Sequence, residues 1–159
     1  IIVPVTIFFI FVLLFTAFNS IKHSVLIIAN VPFATIGGII SLWITGQYLS
    51  VPSAIGFIVV FGVAMLNGIV LISFINELRD AGQSVSDAVR FGAKLRLRPV
   101  LMTASVAILG LLPLLLSSGV GAEIQRPLAT VVVGGLLTST LLTLVLLPVL
   151  YEWVETRHR

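Results

Sequence analysis

Apolar positions run along this chain in long blocks rather than in alternation. Between Lys22 and Glu77 no residue carries a formal charge, His23 being the only one able to acquire it, and the same holds from Pro99 to Ala122 and from Pro127 to Tyr151. A hydrocarbon slab about 30 Å thick is crossed by about 20 apolar residues rising about 1.5 Å each. These windows, together with residues 1–21, are sized for such crossings. The stretch 23–76 is too long for one helix, and Gly46, Gln47, Ser50 and Pro52 supply turn chemistry in its middle. The pattern predicts five helical passes, at about 3–19, 25–45, 52–76, 99–117 and 128–151. A β-barrel is disfavoured, because its strands need only about 10 residues each with strict alternation, which these windows lack. The expected fold class is an all-α polytopic transmembrane bundle.

Composition agrees. The chain is 58% hydrophobic and 9% charged, against about a quarter charged in a water-soluble domain, so a soluble reading is excluded. Cysteine is absent, which removes disulfides, thiolate metal sites and cysteine nucleophiles. The net charge of +3 sits in the loops; it is ordinary for a membrane protein and no footprint for nucleic acid. The first residue is Ile1 and no positive region precedes the opening apolar run. That run is not expected to be a cleavable signal, and the chain reads as a segment of a longer one.

Five passes put Lys22, Arg79, Arg90, Lys94, Arg96, Arg98, Arg157 and Arg159 on one side and Arg126 alone on the other. Basic side chains accumulate on the cytoplasmic side, so the N-terminus is expected outside and the C-terminus in the cytoplasm. Within the 78–98 connection, Ser84 and Asp87 resemble a capping box, and Val85, Ala88, Val89 and Leu95 fall near one helical face. This predicts a short amphipathic helix on the cytoplasmic interface, anchored by Arg90, Lys94, Arg96 and Arg98 reaching phosphates. The alternative is a solvated basic loop that only sets topology.

Small residues recur four apart inside the passes: Gly37 with Ser41, Ala64 with Gly68, Gly135 with Ser139. Such pairs let helix backbones approach closely, either as static packing or as a sliding interface. Pro113 and Pro148 each remove a helix hydrogen bond and are expected to kink or end their helices. Asn67 lies about 15 Å along a helix from Glu77, near the middle of the slab. It shares a face with Ala64, Gly68 and Leu71, and Thr103 heads a narrow stripe with Ala107 and Gly110. Asn67 and Thr103 belong either to a polar network that passes a proton or ion, or to an interhelical hydrogen bond worth about 1 kcal/mol or less. No pass contains Asp, Glu, Lys or Arg.

Other chemistries find no support. His23 and His158 stand at helix ends without a second ligand at metal spacing, and Met65 and Met102 are too few for a soft-metal site. No cofactor or metal site is expected. There is no glycine-rich phosphate loop with its lysine and no serine with a partner base in motif context, so an enzyme is not expected.

Read in order, Gly56-Phe57-Ile58, Gly62-Val63-Ala64-Met65-Leu66-Asn67-Gly68-Ile69-Val70, Arg96-Leu97-Arg98-Pro99-Val100-Leu101-Met102-Thr103, Gly121-Ala122-Glu123-Ile124-Gln125-Arg126-Pro127-Leu128-Ala129-Thr130 with Gly134-Gly135, and Leu147-Pro148-Val149-Leu150-Tyr151 resemble the second half of a resistance-nodulation-division exporter. The resemblance covers nearly the whole chain and corresponds to helices eight to twelve of twelve. Leu66-Asn67-Gly68 and the run from Glu123 to Thr130 are most similar to the heavy-metal efflux branch of cobalt-zinc-cadmium type.

That resemblance implies a proton-driven antiporter of divalent metal cations in the inner membrane of a Gram-negative bacterium. It implies a homotrimer working with a periplasmic adaptor and an outer-membrane channel. The large periplasmic domains, and the fourth helix with its proton-carrying carboxylates, belong to parts of such pumps outside this segment. Multidrug members carry a lysine, and copper/silver members a glutamate, where this chain has Leu66; Asn67 and Thr103 align with polar positions of the relay region. Two alternatives stand beside this reading: a multidrug or organic-solute exporter of the same family, and a non-transporting membrane module of protein-export accessory or sterol-sensing type.

Overall fold

The structure, a computed structural model, describes residues 1–157; His158 and Arg159 lie outside the described residues. Five helices follow one another: α1 (Ile2–Phe18), α2 (Ile21–Ile44), α3 (Val51–Asp80), α4 (Val85–Leu116) and α5 (Ala122–Thr156). No strand occurs among the described residues, so the all-α bundle read from the hydrophobic blocks is the fold observed. Helices α2 to α5 are each long and apolar enough to cross a membrane, while α1 is a shorter apolar helix of 17 residues.

The helix ends follow local chemistry. α1 stops at Asn19, which takes the left-handed conformation (φ 51°) that an amide side chain tolerates, and its N–H bonds the Phe15 carbonyl. α3 opens on a reciprocal Ser50–Ser53 capping pair with Pro52 just inside the start.

The connection between α3 and α4 differs from expectation. α3 runs past its apolar window to Asp80, the chain turns through Gly82 at φ 94°, and α4 begins at Val85. Residues 85–98 are helical, yet they form the first part of one continuous α4 rather than a separate surface helix. The Ser84 hydroxyl accepts the Asp87 N–H at 3.3 Å and donates to Asp87 Oδ2 at 2.8 Å. Pro99 forfeits a single backbone bond, and nothing else near it favours a break. Ala88 and Val89 are buried against Ile75 and its neighbours, whereas Leu95 is exposed. Val85 packs against the same cluster, so three of the four positions of the predicted amphipathic face are covered. Of the two prolines expected to kink or end their helices, Pro113 is followed soon by the end of α4 at Leu116, whereas α5 continues through a buried Pro148 to Thr156.

α5 is the centre of the bundle, with α2, α3 and α4 all packed against it and α1 resting on α2. One apolar cluster gathers Leu26, Ile27, Leu71, Ile72, Ile75, Leu147 and Tyr151. The other gathers Ala34, Leu42, Phe57, Val60, Val131 and Leu136. Small residues set the helix separations. A Cβ on Gly37 would stand 2.8 Å from the Gly134 carbonyl oxygen and 2.5 Å from Thr138 Cβ, and one on Gly135 would stand 2.7 Å from Val60 Cγ1. Ser41 Oγ donates to the Thr130 carbonyl at 3.0 Å. Backbones in contact leave no room for even one methyl group, which is how helices associate in lipid. Of the six residues expected at such crossings, Gly37, Ser41 and Gly135 lie at tight ones. Ala64 and Ser139 are fully buried, and Gly68 makes only an ordinary contact, its added Cβ 3.5 Å from Ile27.

Candidate functional site

Asn67 and Thr103 line one cleft between α3 and α4, of about 260 Å³, whose walls also include Leu66, Val70, Arg96 and Pro99. Asn67 is half-buried and Thr103 exposed. The Thr103 hydroxyl donates to the Pro99 carbonyl of its own helix at 2.9 Å, leaving its lone pairs free to accept. No hydrogen bond joins the two side chains among the described residues. Arg96 is the one ionisable side chain in the cleft wall, and its guanidinium lies 4.8 Å from the centre of the Phe74 ring. Of the four basic residues expected on the interface, Arg96 thus turns toward α3. Arg90 and Lys94 are exposed and line a separate open cleft with Phe91, Leu97 and Leu144, and Arg98 is exposed.

The deeply buried amide of the bundle is Asn30 rather than Asn67. Its side chain is 4% exposed and donates to Thr143 Oγ1 at 2.7 Å and to the Ala64 carbonyl at 3.3 Å. α2, α5 and α3 are tied at one point. Asn30→Leu keeps the volume but removes both bonds. The expected cost is about 1 kcal/mol, because Thr143 can still bond within its own helix; a lowered thermal midpoint of the purified protein checks it. Sequence reading passed over Asn30 because Pro32 and the apolar flanks drew no polar stripe around it.

A second polar group was also missed. Where α2 begins and α3 and α5 end, Arg79 Nη1 donates to Glu155 Oε2 at 2.9 Å and to Tyr151 Oη at 3.2 Å. Tyr151 Oη donates to Asn76 Oδ1 at 2.5 Å, and Asn76 Nδ2 lies 3.4 Å from His23 Nδ1. His23 Nε2 lies 3.4 Å from Glu155 Oε1, and its ring stacks on Tyr151 with centroids 5.1 Å apart. Both rings are buried. The signal in the sequence was the pairing of Asn76 with Arg79 and of Tyr151 with Glu155, three and four residues apart on single helix faces. Each residue, read alone, had passed for a boundary position.

No group of three or more His, Asp or Glu side chains is placed to hold a metal ion among the described residues. What the bundle offers is a largely apolar cleft lined also by Asn67, Thr103 and one cation, in a scaffold whose helices touch through small residues.

Residues 1–155 match the AcrB/AcrD/AcrF family. The chain is 57% identical over 152 residues to the cobalt-zinc-cadmium resistance protein CzcA of Cupriavidus metallidurans, covering 96% of this chain and 14% of that protein. It is 49% identical to the nickel and cobalt resistance protein CnrA of the same organism, covering 99% of this chain and 15% of that one. A crystal structure of a heavy metal efflux pump superposes with a TM-score of 0.88 at 51% identity, covering 98% of this chain and 16% of the pump. The chain thus spans about one seventh of the length of these relatives, and its apolar helices and their likeness make it a multi-pass membrane protein. The helical bundle and these matches together place the chain in the AcrB/AcrD/AcrF family, the resistance-nodulation-division transporters that its motifs resemble.

Proposed function

We propose that this chain supplies the last five membrane helices of a proton-driven exporter of divalent heavy-metal cations. It works in the inner membrane of a Gram-negative bacterium, as a homotrimer joined to a periplasmic adaptor and an outer-membrane channel. The observation that carries this reading is the likeness over 96% of the chain to a cobalt-zinc-cadmium resistance protein, with Leu66 where multidrug relatives carry a lysine. The role is transport rather than catalysis. The basic side chains, eight against Arg126 alone, support an outward N-terminus and a cytoplasmic C-terminus.

Asn67 and Thr103 act here as relay-supporting groups. An amide and a hydroxyl can each donate and accept, so they can hold water or an acidic partner without themselves titrating. Arg96 is the cation closest to hand in their cleft, in the region where Leu66 offers none. When a carboxylate elsewhere in the transporter changes protonation, a bundle joined through small residues can shift as a body against its partner half.

The experiment is expression of the complete transporter in a metal-sensitive host lacking its own exporters. Tolerance of zinc, cobalt or cadmium without tolerance of dyes supports a metal pump; dye resistance alone supports the organic-solute reading and overturns this one. Asn67→Leu is expected to reduce metal tolerance while the protein still reaches the membrane at wild-type level. Unchanged tolerance removes Asn67 from the relay.

A further inference from the structure

We infer that His23 is a proton-binding site, and that the start of α2 is fastened to the ends of α3 and α5 only while that site is empty. The inference rests on the directions of the hydrogen bonds around the ring and is independent of what the transporter carries.

Arg79 has only donors, so at Tyr151 the phenol oxygen accepts, and the phenol's own hydrogen goes to Asn76 Oδ1. That bond fixes the amide: its oxygen faces Tyr151 and its NH2 faces His23 Nδ1 at 3.4 Å. Only an unprotonated Nδ1 can accept there. The ring hydrogen therefore sits on Nε2, 3.4 Å from Glu155 Oε1, where it finds the carboxylate but no well-aligned bond. The donor direction at Nδ1 is set by the order of the chain of bonds from Arg79 through Tyr151 and Asn76 to His23, which begins at a guanidinium.

Binding of a proton at Nδ1 points an N–H at the Asn76 NH2. The amide cannot turn without taking its oxygen from Tyr151, which leaves the phenol hydrogen without the acceptor it has there. Burial of the ring disfavours the cation first of all, and the attraction of Glu155 does not overcome it. Glu155 of α5 is the one anion in contact and already holds Arg79 at 2.9 Å. Arg79 of α3 and Lys22 of α2 itself repel a second cation, and Asp80 lies across the adjoining cavity. α1 contributes Phe18, and the start of α4 contributes Ser84 and Val85, all uncharged. That cavity, of about 530 Å³, is lined chiefly by polar side chains and is large enough to bring water to the ring. The proton binds where it disrupts, and the end of α2 comes free.

The test uses the complete transporter, with cysteines only at Ile21→Cys and Thr156→Cys, both exposed, each carrying a spin label. The label-to-label distance is read at about pH 7.5 and about pH 5.5, either side of the ordinary imidazole range. A single narrow distance at the higher pH and a second, longer component at the lower, reversible on return, is the expected result. His23→Gln can accept and donate but not titrate, and is expected to stay narrow at both. Tyr151→Phe keeps the stacked ring but frees the Asn76 amide to turn and accept from the imidazolium, so it too is expected to stay narrow. A wild-type distance that ignores pH overturns the inference. So does a longer component at low pH in either variant that matches the wild type.

Discussion

Gly37→Ala is expected to lower the thermal midpoint of the transporter, whereas Gly68→Ala leaves it unchanged or raises it. Both residues belong to small pairs four apart, and nothing in the sequence ranks them. The structure does. The added methyl at Gly37 meets the Gly134 carbonyl oxygen at 2.8 Å and Thr138 Cβ at 2.5 Å, where backbone on the far side cannot rotate away. α2 must then move off α5, the helix on which the rest of the bundle is packed. Overpacking of this kind costs about 3 kcal/mol, offset by about 1 kcal/mol from the better helix propensity of alanine. The net loss is about 2 kcal/mol. At Gly68 the methyl reaches Ile27 at 3.5 Å, an ordinary contact, and the propensity gain stands alone. Midpoints of the two variants measured side by side in one detergent decide the matter; equal losses would mean that small-residue spacing, not the α2–α5 contact, sets stability.

Arg79→Met is expected to destabilise the bundle more than any other single charge removal, and Glu155→Met added to it to restore most of the loss. The Glu155 side chain is 18% exposed and is held by Arg79 at 2.9 Å. Removing the guanidinium leaves the carboxylate with only the imperfectly aligned His23, and takes from Tyr151 the donor that orients it. A buried pair broken from one side costs about 3 to 5 kcal/mol, and partial exposure here brings the expected loss to about 2 kcal/mol. Replacing both partners by methionine removes the stranded charge, so the double variant should recover more than half of that loss. A double-mutant cycle on thermal midpoints reads the coupling. If the double variant is as unstable as the sum of the two single ones, the pair carries no coupling and the cluster is surface decoration.

Five apolar blocks, a lopsided distribution of lysine and arginine, and the motifs around Asn67, Arg98 and Arg126 were enough to read an all-α membrane bundle and its family. Hydrophobic length is a one-dimensional quantity: a slab of fixed thickness meets a helix of fixed rise, so the number of passes follows from counting. The limits of counting showed where polar and apolar stretches share one helix. Charges from Arg90 to Arg98 mark a boundary of solvent, not of secondary structure, and α4 continues through it because Ser84 caps the start and Pro99 alone does not stop it. For the same reason α3 outlasts its apolar window as far as Asp80.

The site was legible only in part. Asn67 stood out because it is the polar residue in a long apolar run at mid-depth, and the structure puts it in a cleft with Thr103 and Arg96. Asn30 is just as isolated in sequence, yet its importance comes from Thr143 and the Ala64 carbonyl, which only the packing of three helices brings to it. For His23, Asn76, Arg79, Tyr151 and Glu155 the sequence offers only the spacing of Asn76 with Arg79 and of Tyr151 with Glu155, since the cluster comes from three helix ends that meet in space. By itself the sequence determined which stretches are apolar, that they form a bundle of membrane helices and which relatives it has, because those depend on composition along a line. Tertiary structure decided which glycines touch, which amide is buried and which charges share a partner, because directional bonds and contacts depend on where separate helices come together.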